Sequence, residues 1–427
     1  MKKKGYIYTF IIVALVLIIM SLISYYIMAS QPAIDDVINQ VRTDELYYLV
    51  ESSKKDYERA ISISAQRSLV YLIDYSIENN AGFAGYRMRN CTSLNYTING
   101  SQAAMVELMM CGTLNGISLG DLMANHTLPS WTQRVKTKGD ELNFNIDITP
   151  KSIEIIPYDS WSFYVVTRSD FLVYDKLNQS FYRGFDVPVL SMVSIFGLED
   201  PLYSTMTRSP ELVRYFSSCS PYGQVNYTTI NSWINSECYL QSSEGPSFFD
   251  RLDGNLYLTQ KYLAQSQRVG ELGFPSQAIG LDSVVDLDRF DQSNVTAQYN
   301  LTWFDHSYWR NVSAYCWMPG LTNHLRFRVD SEHAVDYQMK GLNCKIEIEN
   351  SFNPPYIEVP LNTTITWLNI NAVDSCRLDI NAQWFESLDL APSEQYSWVL
   401  NQSGRYDMSC TLTPSASDFT GVIQVSQ

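Results

Sequence analysis

Few residues in this 427-residue sequence have side chains suited to proton transfer or metal binding. Its four histidines, which no HExxH or related metal-binding spacing joins, are His126, His306, His324 and His333. His324 and His333 lie nine residues apart in a strand-like stretch, which favours packed or surface histidines over metal ligands. Asp305 beside His306 could do acid–base work, but adjacent residues of a strand point to opposite faces. The sequence also lacks a GxSxG elbow and a glycine-rich phosphate loop.

The acidic run LDSVVDLDRFDQ is the second candidate site. It contains Asp282, Asp286, Asp288 and Asp291, and carboxylate oxygens are ligands that Ca²⁺ prefers. The run lacks the spacing and the glycine of an EF-hand loop, so we interpret it as a solvated acidic face. We therefore expect no catalytic, cofactor-binding or metal-ligating residue, no cofactor and no enzymatic activity.

The cysteines indicate disulfide chemistry. They are even in number and form no CxxC motif, which argues against zinc and thioredoxin-like sites: Cys91, Cys111, Cys219, Cys238, Cys316, Cys344, Cys376 and Cys410. Disulfides in an oxidising compartment are the simpler explanation. Eight cysteines permit 105 pairings, and short loops favour neighbours. We expect the pairs Cys91–Cys111, Cys219–Cys238, Cys316–Cys344 and Cys376–Cys410.

Glycosylation sequons also indicate a location outside the cytoplasm. Eleven Asn-x-Ser/Thr sites, more than chance would place, are Asn90, Asn95, Asn99, Asn125, Asn178, Asn226, Asn294, Asn300, Asn311, Asn362 and Asn401. None precedes residue 90. The excess favours a glycosylated extracellular surface.

The net charge of −15 argues against a nucleic-acid partner, because phosphate binding needs clustered basic residues. No basic stripe follows the three lysines at positions 2–4. A polar, weakly charged surface rich in tyrosine is common outside cells. The acidity should mainly confer solubility.

The first structural element that the sequence predicts is a membrane anchor. Tyr6–Met28 contains 23 residues without a charge, and at 1.5 Å per residue they span about 34 Å, enough for a bilayer core of about 30 Å. Basic residues precede this segment and Asp35 and Asp36 follow it. The positive-inside rule places the N-terminus in the cytoplasm and the remaining chain outside. A cleaved signal is the alternative, but its apolar region is shorter, about 7–15 residues.

The sequence after the anchor predicts an α+β fold. Ala33–Asn79 has no Gly or Pro and has helical spacing, so a helical stalk over 31–82 should extend the anchor of 1–30. A short helix at Ser101–Cys111 and another entered through a Ser130 cap should follow. We expect an α+β domain with an antiparallel sheet over 83–205. Its five short strands would be Asn143–Thr149, Ser152–Ile156, Ser162–Thr167, Phe171–Tyr174 and Phe185–Ile195.

The remaining chain divides into two expected regions. Residues 206–343 are rich in loops, with mixed helix and strand over Arg251–Arg289 and strands at Asn300–Trp303 and Leu325–Val329. Residues 344–427 have an all-β pattern of six or seven strands and predict a small β-sandwich.

The C-terminal block resembles cupredoxins through PPYIEVPLNTTITWLNINAV, LAPSEQYSWVLNQSGRYDMSC and FTGVIQV. That family binds copper through two His, one Cys and usually a Met. Ser375, Thr413 and Phe419 occupy the His, His and Met positions here, and only Cys410 matches. The resemblance therefore implies a copper-free structural domain. It also implies a disulfide between Cys376 and Cys410, since Cys376 falls beside the first ligand position.

The N-terminal part resembles archaeal type IV pilin-like surface proteins through KKKGYIYTFIIVALVLI. The resemblance implies processing after Gly5, although Phe10 stands where the family has an acidic residue. Two further segments, VSIFGLEDPLY (Val193–Tyr203) and GPSFFDRLDG (Gly245–Gly254), resemble motifs of archaeal surface proteins and imply no activity.

These observations lead us to expect a non-enzymatic cell-surface protein with a structural or adhesive role, such as a pilin-like subunit or minor pilus component. It would contact the membrane through Tyr6–Met28 and could assemble with itself or with other surface proteins. One alternative is an anchored hydrolase, such as a glycosidase, which needs two carboxylates about 5–10 Å apart in a cleft. The other is a copper or electron-transfer protein.

Overall fold

The structure is a computed structural model that describes residues 4–89, 98–119, 123, 125–177, 180–207, 213–220, 225–271, 278–286, 301–318, 326–383 and 385–426. It confirms the expected fold class. An N-terminal apolar helix continues as a long helical spine, and the body is α+β with antiparallel sheets and a C-terminal β-sandwich.

Helix α1 (Lys4–Asn79) is a single element of 76 residues. Its part Tyr8–Ala29 has a mean hydropathy of 2.7 and none of it is buried, so it is long and apolar enough to cross a membrane. The C-terminal part of the same helix buries an apolar stripe that includes Leu46, Tyr57 and Leu69. The helix ends at Asn79, and Asn80 takes the positive φ of 49° that commonly stops a helix.

A three-stranded antiparallel sheet packs against this stripe. Its strands, in the order β3-β4-β5, are β3 (Phe144–Pro157), β4 (Ser162–Asp175) and β5 (Phe181–Ser194). The meander is confirmed, but the prediction of five short strands was wrong. Two register irregularities, at Pro150/Ser152 in β3 and at Ser169/Phe171 in β4, interrupt the alternation without ending the strands. A bulge lets an edge strand accommodate a proline and continue.

Two helices complete this layer. Helix α2 (Ser101–Cys111) has the predicted bounds and ten buried residues, and a small hairpin follows, β1 (Thr113–Leu114) and β2 (Ile117–Ser118). Helix α3 (Leu128–Glu141) begins at Thr127, whose hydroxyl accepts a hydrogen bond from the Ser130 backbone N–H. The expectation of a Ser130 cap was therefore wrong, because Pro129 suits the first turn and moves the start upstream.

A nine-stranded sheet forms the middle of the molecule. Its strands are β6 (Tyr239–Ser247), β7 (Gly280–Asp286), β8 (Leu301–Phe304), β9 (Cys316–Met318), β10 (Arg326–Val329), β11 (Asn343–Ile348), β12 (Phe352–Asn353), β14 (Thr363–Asn369) and β17 (Gln395–Leu400). They run in the order β17-β14-β11-β9-β10-β8-β7-β6, with β12 beside β11. Strands β8 and β10 correspond to the two strands expected in the loop-rich region.

The described residues after β5 also form six short helices. They are α4 (Pro201–Thr207), α5 (Tyr227–Ser236), α6 (Phe248–Asp253), α7 (Gln260–Glu271), α8 (Asp305–Trp309) and α9 (Ser331–Asp336). The expectation of mixed helix and short strand over Arg251–Arg289 agrees with α6, α7 and β7.

The second sheet of the C-terminal sandwich has the order β13-β19-β18-β15-β16. These strands are β13 (Tyr356–Pro360), β15 (Ser375–Ile380), β16 (Leu388–Leu390), β18 (Gly404–Thr413) and β19 (Asp418–Ser426). The first sheet of the sandwich is part of the nine-stranded sheet, since β11 pairs with β9. Strands therefore pair across the boundary expected at residues 343 and 344.

Disulfides join neighbouring elements. Three expected pairs are present, Cys219–Cys238, Cys316–Cys344 and Cys376–Cys410. Cys111 is also disulfide-bonded, while Cys91, its expected partner, lies outside the described residues. Cys316 and Cys344 are direct register partners on β9 and β11, so this disulfide reinforces the pairing across the expected boundary.

The buried apolar side chains form two clusters. One contains the α1 stripe, α2 and the β3-β4-β5 sheet and extends to Tyr239 and Leu281. The other contains the sandwich and extends to Leu240 and Val284. The two clusters meet where β6 and β7 pair. We call the buried polar groups at this meeting place the polar seam: Asp200, Arg214, Arg251, Asp282, Ser283, Asp305, His306, Asp330 and His333.

Candidate functional site

The centre of the polar seam is built at one end of three adjacent strands. Strands β8 and β10 are parallel, and each passes directly into a short helix, α8 and α9 respectively. Asp305 and His306 begin α8, and Asp330 caps α9 three residues before His333. Strand β7 runs antiparallel to β8, which brings Asp282 near the start of β7 to the same end. The carboxyl ends of parallel strands thus gather residues that are far apart in sequence.

Asp282, His306 and His333 form one group within the seam. One ligand atom from each of the three lies within 4.8 Å of the other two. His306 Nδ1 is 3.0 Å from Asp282 Oδ1, and His333 Nε2 is 3.4 Å from Asp282 Oδ2. Their relative exposures are 0%, 1% and 4%. Two imidazoles and a carboxylate at such distances can share protons or ligate one cation.

Three neighbouring groups orient this trio. His333 Nδ1 lies 2.8 Å from both oxygens of Asp330, which leaves Nε2 directed at Asp282. The Tyr337 hydroxyl donates to Asp282 Oδ2 at 2.6 Å. The Phe304 ring stacks on His333 with centroids 4.2 Å apart. Together these contacts fix both the imidazole plane and the carboxylate.

An arginine extends the seam toward α1. Arg251 on α6 donates to Asp200 Oδ2 at 2.6 Å and to Asp305 Oδ2 at 2.7 Å, and all three side chains are fully buried. It also donates to the Leu281 carbonyl at 2.7 Å. Asp200 accepts a further hydrogen bond from Tyr239 at 2.7 Å. Charge-assisted, forked bonds of this kind are among the strongest that a protein makes.

The two motif segments singled out in the sequence meet here. Asp200 belongs to the segment Val193–Tyr203, and Arg251 belongs to the segment Gly245–Gly254. Gly245 also has a steric role, because a Cβ at this position would overlap Asp282 Oδ1 and the Leu281 backbone. The residues that make these motifs recognisable therefore build the seam.

A second guanidinium completes the network. Arg214 donates to Ser283 Oγ and to the Val284 carbonyl, each at 2.8 Å. Ser283 in turn donates to Asp305 Oδ2 at 2.8 Å. Four carboxylates and two guanidinium groups are thus linked with two imidazoles in one buried region.

The seam shifts the pKa of its own groups. Burial lowers the pKa of His333, but the carboxylates of Asp282 and Asp330 outweigh burial and raise it to about 10. Burial likewise opposes the carboxylates of Asp282 and Asp305 at His306, whose pKa is raised. In return, despite burial, the pKa of Asp282 falls well below its usual range. Each group thus favours the charged form of its neighbour.

These positions correct two expectations. Asp282 is buried and paired, so the acidic run is not a solvated face at this residue; Asp288 and Asp291 lie outside the described residues. Asp305 and His306 begin a helix rather than lying in a strand, so both side chains face the seam, with His306 Nδ1 3.4 Å from Asp305 Oδ1. His126 is elsewhere and half-buried, and His324 lies outside the described residues. The missed signal was a repeated one, a short strand followed at once by Asp and then by His one or three residues later.

The copper positions of the resemblance lie in the second sheet of the sandwich. Ser375 and Thr413 are register partners on β15 and β18, and Cys410 faces Phe419 across β18 and β19. The sulfur of Cys410 is bonded to Cys376 and is not a thiolate. This group of side chains therefore lacks the imidazole and thiolate donors that copper requires.

The sequons have a consistent placement where they are described. Asn99, Asn125, Asn226, Asn311, Asn362 and Asn401 are all exposed. The other five fall on residues that the structure does not describe. Glycosylation stays a prediction.

Comparison with known proteins gives partial similarity. No family model matches the chain, and no curated protein matches it. Among solved structures, it is similar to a purple cupredoxin from Nitrosopumilus maritimus, with 27% identity over 19% of this chain and 98% of that chain and a TM-score of 0.16. It is also similar to an amicyanin variant in its reduced state, with 22% identity over 19% of this chain and 80% of that chain and a TM-score of 0.17. The similarity concerns about a fifth of this chain.

Proposed function

We propose that this chain is a membrane-anchored cell-surface protein with a structural, non-enzymatic role. One observation carries the proposal. Helix α1 is continuous from an exposed apolar segment, Tyr8–Ala29, to a buried stripe that begins at Leu46. The anchor and the folded body are therefore parts of one element. The 16 residues between Ala29 and Leu46 correspond to about 24 Å of helix, which would hold the body clear of the bilayer.

The disulfides and sequons support display on the oxidising side. Disulfides persist outside the cytosol, and exposed asparagines in sequons are available for glycan attachment. The positive charges before the apolar segment favour an N-terminus in the cytoplasm. Tyr- and Trp-rich surfaces supply contact area at low entropic cost, which suits assembly with other surface proteins or with copies of this chain in a pilin-like filament.

The seam supports a non-enzymatic role. Its carboxylates and imidazoles are the described residues best suited to acid–base chemistry, yet they are closed to solvent and engaged with one another. A glycosidase needs its carboxylate pair in a cleft that admits substrate. Copper-dependent electron transfer is equally disfavoured, because the sulfur of Cys410 belongs to a disulfide.

The experiment compares two matched double variants of the full chain in the cell membrane. Val16→Arg with Leu17→Arg introduces charge into the apolar segment, where each arginine costs about 2.5–3.5 kcal/mol. Val41→Arg with Tyr48→Arg introduces the same charge at exposed positions of α1 beyond that segment. We expect the first pair to abolish retention during alkaline carbonate extraction and the second to leave retention unchanged.

Protease added to intact cells should digest the wild-type body, and non-reducing gels should show it disulfide-bonded. Equal retention of both double variants, or a body protected inside intact cells, would refute the proposal. Mechanical shearing of the cells distinguishes a filament subunit from a monomeric anchored protein. Release of the chain in filaments indicates a pilin-like subunit, and retention in the membrane indicates a monomeric anchor.

A further inference from the structure

We propose that Asp282, His306 and His333 bind one divalent transition-metal ion of the zinc class inside the polar seam. The inference goes beyond the proposed surface role and rests on different residues. Its first basis is convergence. The ligand atoms of the three side chains lie within 4.8 Å of one another, and His306 Nδ1 is 3.0 Å from Asp282 Oδ1. Adjacent ligands of a tetrahedral zinc ion with bonds of 2.0–2.1 Å lie about 3.3 Å apart.

The second basis is a pair of buried polar atoms, one on Asp282 and one on His333. Asp282 Oδ1 and His333 Nε2 are both inaccessible to solvent, and neither meets the geometry of a hydrogen bond, although each lies within 3.4 Å of another ionisable atom of the trio. Buried polar atoms of folded proteins are nearly always hydrogen-bonded, and an exception calls for a bound ion or a similar explanation. Here the two exceptions belong to facing side chains, and the nearest other donor atom to Asp282 Oδ1 is Nδ1 of His306, the third residue of the group.

The third basis is the surrounding shell. Metal-bound histidines usually donate their other ring nitrogen to a carboxylate, and metal-bound carboxylates are themselves hydrogen-bonded. His333 has this arrangement, with Nδ1 at 2.8 Å from Asp330, which fixes the tautomer that presents the Nε2 lone pair. Asp282 has it as well, because Tyr337 occupies Oδ2 and leaves Oδ1 available. Both ligands are thus already oriented.

The fourth basis is charge. The seam contains the carboxylates of Asp200, Asp282, Asp305 and Asp330 and the guanidinium groups of Arg214 and Arg251. With both imidazoles neutral, as metal ligands must be, two negative charges are left uncompensated in a region closed to water. Uncompensated buried charge is costly. One divalent cation neutralises the seam, and it does so in place of the two protons that the imidazoles would otherwise carry.

The donor set selects the kind of metal. Two imidazole nitrogens and one carboxylate oxygen suit zinc and its first-row neighbours, whereas Ca²⁺ and Mg²⁺ prefer sites made of oxygen alone. Because all three ligands are closed to solvent, the ion would stabilise structure. It would join β7, α8 and α9 across the place where the two apolar clusters meet.

The test uses the full chain purified in detergent under non-reducing conditions, stripped with chelator and then given zinc chloride. After gel filtration, mass spectrometry of the elements should find one zinc per chain, and the Tm should rise with zinc and fall again with chelator. Calcium and magnesium chloride at the same concentration should give neither effect. Cobalt chloride should give the visible absorption band of a low-coordinate Co²⁺ site.

Three variants locate the site. His333→Gln should weaken zinc binding at least 100-fold, and Asp330→Asn, which alters only the supporting hydrogen bond, should weaken it about 10–100-fold. His126→Gln, a histidine outside the seam, should bind zinc as the wild type does. Should His333→Gln fail to fold, the wild-type zinc content and cobalt spectrum still decide. A folded wild-type chain that retains no zinc and shows no cobalt band would overturn the proposal, as would equal binding by His333→Gln.

Discussion

Replacing Arg251 should reveal how strongly the polar seam depends on paired charges. Arg251→Met keeps an unbranched apolar stem but removes the cation that bridges Asp200 at 2.6 Å and Asp305 at 2.7 Å. Because all three side chains are fully buried, solvent cannot replace the lost partner. Removing one member of a buried ion pair costs about 3–5 kcal/mol. Because the free energy of unfolding of a domain is typically about 5–15 kcal/mol, this loss would be a large fraction of the total.

The matched control is Arg268→Met. Arg268 makes an equally short ion pair, 2.7 Å from Glu154, but its side chain is 59% exposed. Exposed pairs contribute about 0–1 kcal/mol. Urea unfolding of the detergent-solubilised chain, followed by tryptophan fluorescence, should therefore shift the midpoint strongly for Arg251→Met and little for Arg268→Met. The slope m should stay constant, since neither change alters the surface that unfolding exposes.

A combined variant distinguishes lost attraction from unpaired charge. Asp200→Asn and Asp305→Asn, added to Arg251→Met, remove the two carboxylates left without a cation. If the cost of Arg251→Met comes from unpaired buried charge, the triple variant should recover part of the lost stability. A free energy of unfolding for Arg251→Met within about 1 kcal/mol of the wild-type value would refute this account of the seam. A triple variant less stable than Arg251→Met would refute it as well.

Two further predictions concern the surroundings of the seam. Gly245→Ala should cost about 1–3 kcal/mol, because its Cβ would overlap Asp282 Oδ1, whereas Gly85→Ala, with open space around it, should leave the urea midpoint unchanged. Asp253→Asn tests the pH dependence: burial raises the pKa of Asp253, so the folded state binds its proton more tightly than the unfolded state does. That contribution to stability is present at low pH and is lost as pH rises above about 4. The variant should therefore gain stability relative to wild type between pH 4 and 7. A difference in Tm between variant and wild type that stays constant across this range would contradict the prediction.

The N-terminal apolar helix and its extension could be predicted because their signals are local. An uncharged run long enough for a bilayer can be read from the sequence without knowledge of tertiary contacts. The absence of Gly and Pro over Ala33–Asn79 likewise permits a continuous helix whatever packs against it. The disulfide pairs Cys219–Cys238, Cys316–Cys344 and Cys376–Cys410 followed from short loops in the same way. Strand ends were less predictable, since bulges at Pro150 and Ser169 depend on the neighbouring strand.

The seam could not be predicted because its chemistry is non-local. Asp282, His306 and His333 come together only through the pairing of β8 with β10 and with β7. In the sequence, Asp282 belongs to a run whose charge suggests solvent, and its compensating partners are 24 or more residues away. The segments that contain Asp200 and Arg251 were noted for a resemblance that implies no activity, and a resemblance of this kind does not state which residues they contact.

The seam lies between elements that pack on α1 and elements that pack on the sandwich. Asp200 follows β5, which packs on α1, and Arg251 connects it to Asp305 on α8. From there the contacts run through His306 and Asp282 to His333 on α9, which packs against β13 of the sandwich. Ion pairs thus connect Asp200 to His333, and packing contacts continue the path to α1 at one end and to β13 at the other. For the surface role proposed above, such a path would hold the C-terminal sandwich in a fixed orientation. Weakening the buried charges should therefore loosen the packing of α9 against β13 before it affects α1.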